Sequence, residues 1–286
     1  MPAILFLATL ISTTYAGLFY TDSDLGLPRT IVTHPANLLK GVPFSFTLIV
    51  ILLAHELGHY FACRHYGIRC TPPFFIPLPV TFAGTMGAFI RIKSPFQHRR
   101  ALFDVGIAGP LAGFAFVVPA LVIGINRSTL VLRHSVPGDI YFGEPLLFRW
   151  LGAMMIGYTP GTHDLFPHPI AMAAWFGLLV TSLNLFPIWQ LDGGHVAYAM
   201  LGRERQKKVS LVAAFALMLI SLAGWPIPSY LLFACLLLFL STRSRFYHPP
   251  TMSDDEQLGP GRVALGIILF LILIVSFTPV PISIAR

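Results

Sequence analysis

The 286-residue chain is rich in apolar residues: 55% are hydrophobic, only 11% are charged, and the mean hydropathy is +0.74. These values exclude an ordinary soluble domain, in which about a quarter of the residues are charged, and they predict an integral membrane protein. The net charge of +7 does not indicate nucleic-acid binding, because Lys and Arg lie in short loops between apolar stretches. Three scattered cysteines, Cys63, Cys70 and Cys235, predict neither a disulfide framework nor a zinc finger.

Apolar windows about 20 residues long or longer predict membrane-spanning helices along the whole chain. We interpret the first as a retained span rather than a signal peptide, because it lacks a basic start. One later window is too long for a single straight helix and is interrupted by Gly-Trp-Pro-Ile-Pro at 224–228, which favours a helical hairpin over one kinked span. The windows lie at 2–20, 42–63, 101–125, 170–201, 209–242 and 263–282.

The predicted fold is an all-α polytopic membrane protein with about six or seven transmembrane helices and a short membrane-associated extended segment. Residues 71–94 are assigned to that segment, since they are too apolar for an exposed loop and too rich in Pro and Gly for a helix. We expect a single transmembrane domain over residues 1–286, with its core at 42–201 and peripheral spans at 2–20, 209–242 and 263–282. Most Lys and Arg residues lie in the loops at 64–100, 202–208 and 242–262, so these loops are predicted to be cytoplasmic.

A His-Glu-Leu-Gly-His motif at 55–59 lies inside the apolar window 42–63. On a helix, residues four apart share a face, so His55 and His59 can bind one ion while Glu56 is directed at a water bound to it. This is the zinc-hydrolase arrangement of two histidine ligands and a carboxylate base. The alternative is a pair of core histidines bonded to backbone carbonyls, but two imidazoles and a carboxylate at membrane depth would all need partners.

A zinc hydrolase needs a third protein ligand, with the fourth position left for water. Asp192 is the only carboxylate in the window 170–201, where Pro187 and the pair Gly193 and Gly194 predict a broken helix. Broken backbone at membrane depth is tolerated where it lines a cavity. Asp192 and the histidine motif both precede predicted cytoplasmic loops, which places the site in the cytoplasmic half of the bilayer. The alternative is that Asp192 is only a turn residue beside glycines.

HELGH at 55–59 and NLFPIWQLDGG at 184–194 resemble the two signature motifs of the site-2 protease family of intramembrane zinc metalloproteases. The similarity includes GTMGAFI at 84–90 and FDVGIAGPLAG at 103–113 and covers roughly residues 45–200, without the PDZ or CBS domains of some members. The resemblance implies one zinc ion, Glu56 as the general base, and a substrate-orienting or oxyanion-stabilising role for Asn184. The zinc ligands that it implies are His55, His59 and Asp192.

The resemblance also implies an endopeptidase that hydrolyses peptide bonds in or near transmembrane segments of other proteins, as in regulated intramembrane proteolysis. Its partners would be a transmembrane protein substrate and the lipid bilayer, and we expect a bacterial plasma membrane. An alternative from another class is a divalent-metal transporter or metal-sensing membrane protein with the same ligands and no hydrolysis. A third is an inactive, scaffold-like homologue. Glu56 distinguishes these readings, because a transport site does not need a base beside its ligands.

Several other residues have interpretations of their own. His195 is either adjacent to the metal ligands or a solvated or carbonyl-bonded histidine, and Cys63 is a small buried core residue rather than a ligand. The small residues at 106–113 predict close helix packing. Asp104, beside them, is predicted to be a helix cap or a local salt-bridge partner. Residues 86–90 are predicted to pair with an unwound substrate. Three polar residues of the loop at 126–169 are predicted to lie at the surface on the side opposite the site: His163, Asp164 and His168.

Overall fold

The computed structural model describes residues 2–21, 34–132, 138–224, 228–243 and 248–285. These residues are mostly α-helical, with three two-stranded antiparallel sheets between the helices, so the predicted helical class is confirmed. By length and composition, two helices of the described part can cross a membrane, Pro35–His65 and Arg99–Asn126. The count of six or seven spans stays a prediction.

The order of the elements follows the predicted windows closely. The helices are α1 (Pro2–Leu18), α2 (Val42–His65, preceded by the 3-10 helix Pro35–Gly41), α3 (Arg99–Asn126), α4 (Leu146–Ile156), α5 (Pro169–Leu185), α6 (Asp192–Leu201), α7 (Arg203–Ala223), α8 (Leu231–Arg243) and α9 (Pro260–Ser276). The strands are β1 (Phe74–Pro77), β2 (Thr85–Phe89), β3 (Thr129–Leu132), β4 (Ile140–Phe142), β5 (His163–Phe166) and β6 (Ile282–Ile284).

Helices α2, α3 and α5 pack together at the centre of the molecule. Small residues let their backbones approach: a methyl group at Gly58 of α2 would overlap the carbonyl of Ala108 in α3. A methyl group at Gly124 of α3 would likewise overlap the backbone of Ala171 in α5. In a membrane there is no hydrophobic driving force for helices to associate, and close packing of this kind is what stabilises helix pairs. The predicted close packing is therefore confirmed.

The window at 170–201 is divided into two helices, as predicted. Helix α5 ends at Leu185 and α6 begins at Asp192, with Pro187 between them. Methyl groups at Gly193 and Gly194 would overlap the carbonyls of Leu185 and Trp189, so glycine is needed where the chain turns back on itself. The break is the consequence of a missing proline N–H followed by this tight turn.

The window at 209–242 forms two helices that share one apolar cluster. Ala214 and Leu217 of α7 pack in this cluster with Ala234 and Leu237 of α8. This agrees with the predicted hairpin, although residues 225–227 of the predicted break lie outside the described residues.

The extended segment predicted at 71–94 contains β1 and β2, which pair antiparallel with Phe74 opposite Phe89. Two other sheets, β3 with β5 and β4 with β6, were not predicted. These strands are three or four residues long, too short for a recognisable alternation. The predicted span at 263–282 extends too far. Its helix ends at Ser276, before Pro279 and Pro281, and the chain then continues into β6.

The three loops predicted to share a side of the membrane do lie together. In the first and third loops, Arg99 Nε is 3.7 Å from Asp254 Oδ1, and Arg100 Nε is 3.5 Å from Glu256 Oε2. Gly202 in the second loop lies against the guanidinium of Arg99. Residues 248–259, between α8 and α9, supply the acidic partners, and we refer to them as the connector.

Candidate metal centre

Three side chains from two distant parts of the chain meet at the centre of the helices. His55 Nε2 and His59 Nε2 are 3.1 Å apart, and they lie 3.2 Å and 3.3 Å from Asp192 Oδ2. Ligand atoms that bind zinc tetrahedrally at about 2.0–2.1 Å lie about 3.3 Å from one another. Among the described residues this is the one group of three or more such side chains that can hold a metal ion. The donor set and its spacing therefore fit zinc.

Helix α2 supplies both histidines from one buried face. The Nδ1 of His59 lies 2.8 Å from the backbone oxygen of Val105 in α3. Because a carbonyl oxygen only accepts, Nδ1 carries the proton and Nε2 presents its lone pair to the centre. A carbonyl partner of this kind fixes the tautomer and the orientation of a ligating histidine.

Two glycines of α3 make room for the ligand rings. A methyl group at Gly109 would overlap the imidazole of His59, and one at Gly113 would lie 3.2 Å from the Cβ of His55. From the sequence, these glycines were predicted only to allow close helix packing. Their four-residue spacing matches that of the two histidines, and this was the signal that could have linked them to the site.

Asp192 is the first residue of α6, directly after the interrupted segment. At a helix N-terminus, unpaired backbone N–H groups and the helix dipole favour a negative charge. The break between α5 and α6 thus brings a carboxylate to the two imidazoles and stabilises its charged form. The structure brings together all three of the side chains that the sequence analysis proposed as ligands.

Glu56, the proposed base, is buried beside the histidines, and the backbone N–H of Ile90 lies next to its carboxylate. Ile90 directly follows β2, so the end of this strand lies at the carboxylate. One edge of β2 pairs with β1, and no described strand pairs with the other edge. Two β2 side chains, Met86 and Phe89, are exposed.

Asn184 lies in the last turn of α5, with its Nδ2 3.4 Å from Nε2 of His55. Its amide therefore borders the metal centre through contact with a ligand ring, and its role in the reaction stays a prediction. Nothing in the contact requires Asn184 to bind the ion itself.

The remaining candidate residues lie outside the centre. Cys63 is buried in an apolar cluster with Ile68, Ala101 and Val105, which confirms its interpretation as a core residue. His195 contacts a histidine of the connector. The polar group His163, Asp164 and His168 is half-buried rather than fully at the surface, and His168 caps the N-terminal end of α5, away from Asn184.

Two buried histidines, a carboxylate at metal-ligand spacing and an adjacent glutamate define a metallohydrolase type of centre within a bundle of apolar helices. Residues 43–224 match the family model described as Peptidase family M50, and the chain therefore belongs to that family. This confirms the predicted relationship to the site-2 protease family, and the predicted class, a zinc metalloprotease, agrees with the description of that family as a peptidase family. Because the family is membrane-embedded, the predicted membrane location is also confirmed in general terms.

Several curated plant proteins resemble the chain over much of its length. It is 28% identical over 298 residues to "Probable zinc metalloprotease EGY1, chloroplastic" of Oryza sativa subsp. japonica, covering 96% of this chain and 49% of the relative. Identity to "Probable zinc metalloprotease EGY2, chloroplastic" of Oryza sativa subsp. indica is 34% over 180 residues, which is 62% of this chain and 32% of the relative. The chain spans about half the length of EGY1 and a third of EGY2. The names place these relatives in chloroplasts, which does not support the predicted bacterial plasma membrane.

Proposed function

We propose that this chain is an intramembrane zinc-dependent endopeptidase that hydrolyses peptide bonds in or near transmembrane segments of other membrane proteins. The observation that carries the proposal is the placement of Glu56 next to a zinc-sized set of ligand atoms from His55, His59 and Asp192. A site built only to hold or pass an ion has no need of a buried carboxylate beside its ligands. The names of the relatives as zinc metalloproteases support the same reaction.

The chemistry divides between the ion and the side chains. Zinc, when bound, supplies a Lewis acid and lowers the pKa of a bound water towards about 7. Glu56 accepts the proton of the attacking water and later returns it to the leaving amine. The amide of Asn184 is close enough to the ligand His55 to orient the substrate or to donate to the oxygen that gains negative charge.

Strand β2 supplies a surface for an unwound substrate. A peptide bond inside a helix is shielded by the helix hydrogen bonds, so the segment to be cut must become extended. The edge of β2 that faces away from β1 offers replacement backbone bonds, and its end lies at Glu56 through the N–H of Ile90. Helix-breaking residues introduced into a reporter segment should therefore ease cleavage, and the strand-pairing proposal fails if they never do.

The site is proposed to lie in the cytoplasmic half of the bilayer. His59 lies in the last two turns of α2, which ends at the basic loop 64–100, and α6, which begins with Asp192, ends about three turns later at the basic loop 202–208. We further propose one transmembrane domain over residues 1–286 with six or seven spans. Cysteines introduced singly at exposed positions of the connector and of the β3–β5 sheet test this orientation. We expect an impermeant thiol reagent applied to intact cells to label the cysteines of the β3–β5 sheet and not those of the connector.

The function itself is tested with purified detergent-solubilised protein and a reporter that contains one transmembrane segment. Zinc content and cleavage are measured for the wild type, Glu56→Gln and Asp192→Ala. We expect zinc in the wild type and in Glu56→Gln, reduced zinc in Asp192→Ala, and cleavage by the wild type alone. A chelator should abolish this cleavage, and added zinc should restore it.

Two results would count against the proposal. Equal cleavage by Glu56→Gln and the wild type would remove Glu56 from the reaction. Zinc bound by all three proteins, with no cleavage of a panel of reporters by the wild type, would favour the transporter or metal sensor.

A further inference from the structure

A pair of buried histidines joins the connector to the helix that begins with Asp192. His195 lies one turn after Asp192 in α6, and its Nδ1 is 2.6 Å from Nε2 of His248 in the connector. The ring of His248 also contacts the ring of Tyr198, and the His248 side chain is almost completely buried. A long-range contact between two imidazoles is a specific feature, since each ring needs a defined tautomer to take part.

The hydrogen-bond partners determine both tautomers. Nδ1 of His248 is 2.6 Å from the backbone oxygen of Pro249, which only accepts, so Nδ1 of His248 carries its proton. Burial lowers the pKa of His248 to about 3, and the ring is neutral at physiological pH. Its Nε2 is therefore an acceptor, and Nδ1 of His195 donates to it.

His195 is also held from the other side. A methyl group at Gly106 of α3 would lie 2.9 Å from the Cβ of His195, so α6 rests directly on the backbone of α3. The neighbouring residue Val105 supplies the carbonyl that orients His59. His195 thus lies between the connector and the part of α3 that orients a proposed ligand.

Helix α6 depends on such contacts for its position. It is ten residues long, has no side-chain N-cap, and carries Gly193 and Gly194 in its first turn. Glycine disfavours a helix relative to alanine, so this first turn is intrinsically weak. The connector adds a second tie, because the hydroxyl of Tyr198 donates to Asp254 at 2.8 Å. The connector is itself attached to the segment before α3, since the backbone N–H of Met252 donates to the backbone oxygen of Phe96 at 2.9 Å.

We propose that His195 is a positioning residue for Asp192, and that the connector acts as a strap that holds α6 in place through His248. The inference rests on the proposed function, because it assigns Asp192 as a zinc ligand. It adds a role for residues of the connector, which lies beyond residues 43–224 matched by the family model.

The test compares two substitutions at one position. The side-chain oxygen of glutamine can replace Nε2 of His248 as the acceptor, whereas leucine has similar bulk and no acceptor, so His248→Gln and His248→Leu separate the hydrogen bond from packing. Three properties are measured: the rate of zinc loss to a chelator, the absorption spectrum of the cobalt-substituted protein, and kcat and KM on the reporter. Met252→Ala is the control in the same connector, because its side chain is exposed and its backbone bond remains.

We expect His248→Leu to lose zinc about tenfold faster, to change the cobalt spectrum and to lower kcat with little change in KM. His248→Gln and Met252→Ala should behave like the wild type. The proposal is overturned if His248→Leu keeps wild-type zinc retention and spectrum, or if His248→Gln is as impaired as His248→Leu. If His248→Leu does not fold, the comparison is repeated from the other ring with His195→Asn, which keeps a donor, and His195→Leu, which does not. Equal behaviour of these two variants overturns the proposal.

A failure of this inference can be told from a failure of the proposed function. A wild type that binds zinc and cleaves the reporter, with all connector variants unchanged, removes only the strap. A wild type without zinc or without cleavage removes the proposed function first.

Discussion

Gly109 shows how a single residue without chemistry of its own determines whether two histidines can bind one ion. The imidazole of His59 occupies the space that any larger side chain at position 109 would fill. The carbonyl of Val105, one turn earlier on α3, holds the same ring in orientation. Helix α3 therefore contributes both the space and the hydrogen bond, while α2 contributes the ligand.

Replacing Gly109 by alanine should displace His59 and weaken metal binding. Overpacking of this kind costs about 1–3 kcal/mol, and disturbing the groups that orient a ligating histidine typically costs about 10- to 100-fold in metal affinity. Zinc retained after dialysis against a chelator is the measurement. Gly261→Ala is the control, because a methyl group there meets nothing within 4 Å. Equal zinc retention in both variants would show that His59 tolerates the added methyl group.

At the residue scale, the sequence allowed us to predict the side chains that meet at the metal centre but not the groups that hold them in position. His55, Glu56 and His59 were predictable because four-residue spacing on a helix is a local property, and Asp192 because acids are rare in apolar spans. His248 could not be linked to His195, since the two lie 53 positions apart and the sequence between them carries no local signal of the contact. The same holds for the carbonyl of Val105, which has no signature in the sequence.

The interrupted segment between α5 and α6 is the element on which the geometry of Asp192 depends. Within it, Trp189 has a φ of +46°, a left-handed conformation that costs a non-glycine residue of the order of 1 kcal/mol. The N–H of Trp189 donates to the hydroxyl of Ser210 in α7 at 2.8 Å. Helix α7 thus holds the strained residue that precedes Asp192 by three positions.

Replacing Ser210 by alanine should leave the N–H of Trp189 unpaired. An unpaired donor at this part-buried position costs at most about 1–3 kcal/mol, the range for a fully buried one, and the midpoint of thermal unfolding should fall. Ser221→Ala is a matched control on the same helix, because Ser221 is also buried and its hydroxyl has no hydrogen-bond partner among the described residues. That control should be neutral or slightly stabilising. A similar loss of stability in both variants would contradict the assigned role of the Trp189 bond.

At the element scale, long apolar windows predicted the helices well because their signal extends over many residues. Pro187 with Gly193 and Gly194 also predicted the break correctly, since proline and glycine act locally. The pairing of β4 with β6 was missed because it joins residues 140–142 to residues 282–284, a contact that only the tertiary fold creates. Short strands of this kind carry too few residues for a periodic pattern.

At the scale of the whole molecule, an ion pair next to the basic loops joins two helices that are far apart in sequence. The guanidinium of Arg262 in α9 donates to both carboxylate oxygens of Asp104 in α3 at 2.8 Å. The hydroxyl of Tyr66 also donates to this carboxylate, and burial together with the neighbouring Asp104 raises the pKa of Tyr66, so the phenol stays protonated. The sequence predicted a helix cap or a local salt bridge at Asp104. The structure has a salt bridge there, but its partner lies 158 positions away in the chain rather than nearby.

Removal of this ion pair should loosen α9 from the rest of the protein. Arg262→Gln leaves the half-buried Asp104 without its cation, and we expect a loss of about 1–2 kcal/mol, seen as a lower midpoint of thermal unfolding in detergent. Arg262→Lys should recover only part of this stability, because lysine cannot form the two parallel bonds. Arg100→Gln is the comparison, since Arg100 and Glu256 form a more exposed contact at 3.5 Å whose loss should change stability by no more than about 0.5 kcal/mol. Equal effects of Arg262→Gln and Arg100→Gln would mean that the bidentate pair stabilises the fold no more than an ordinary surface contact.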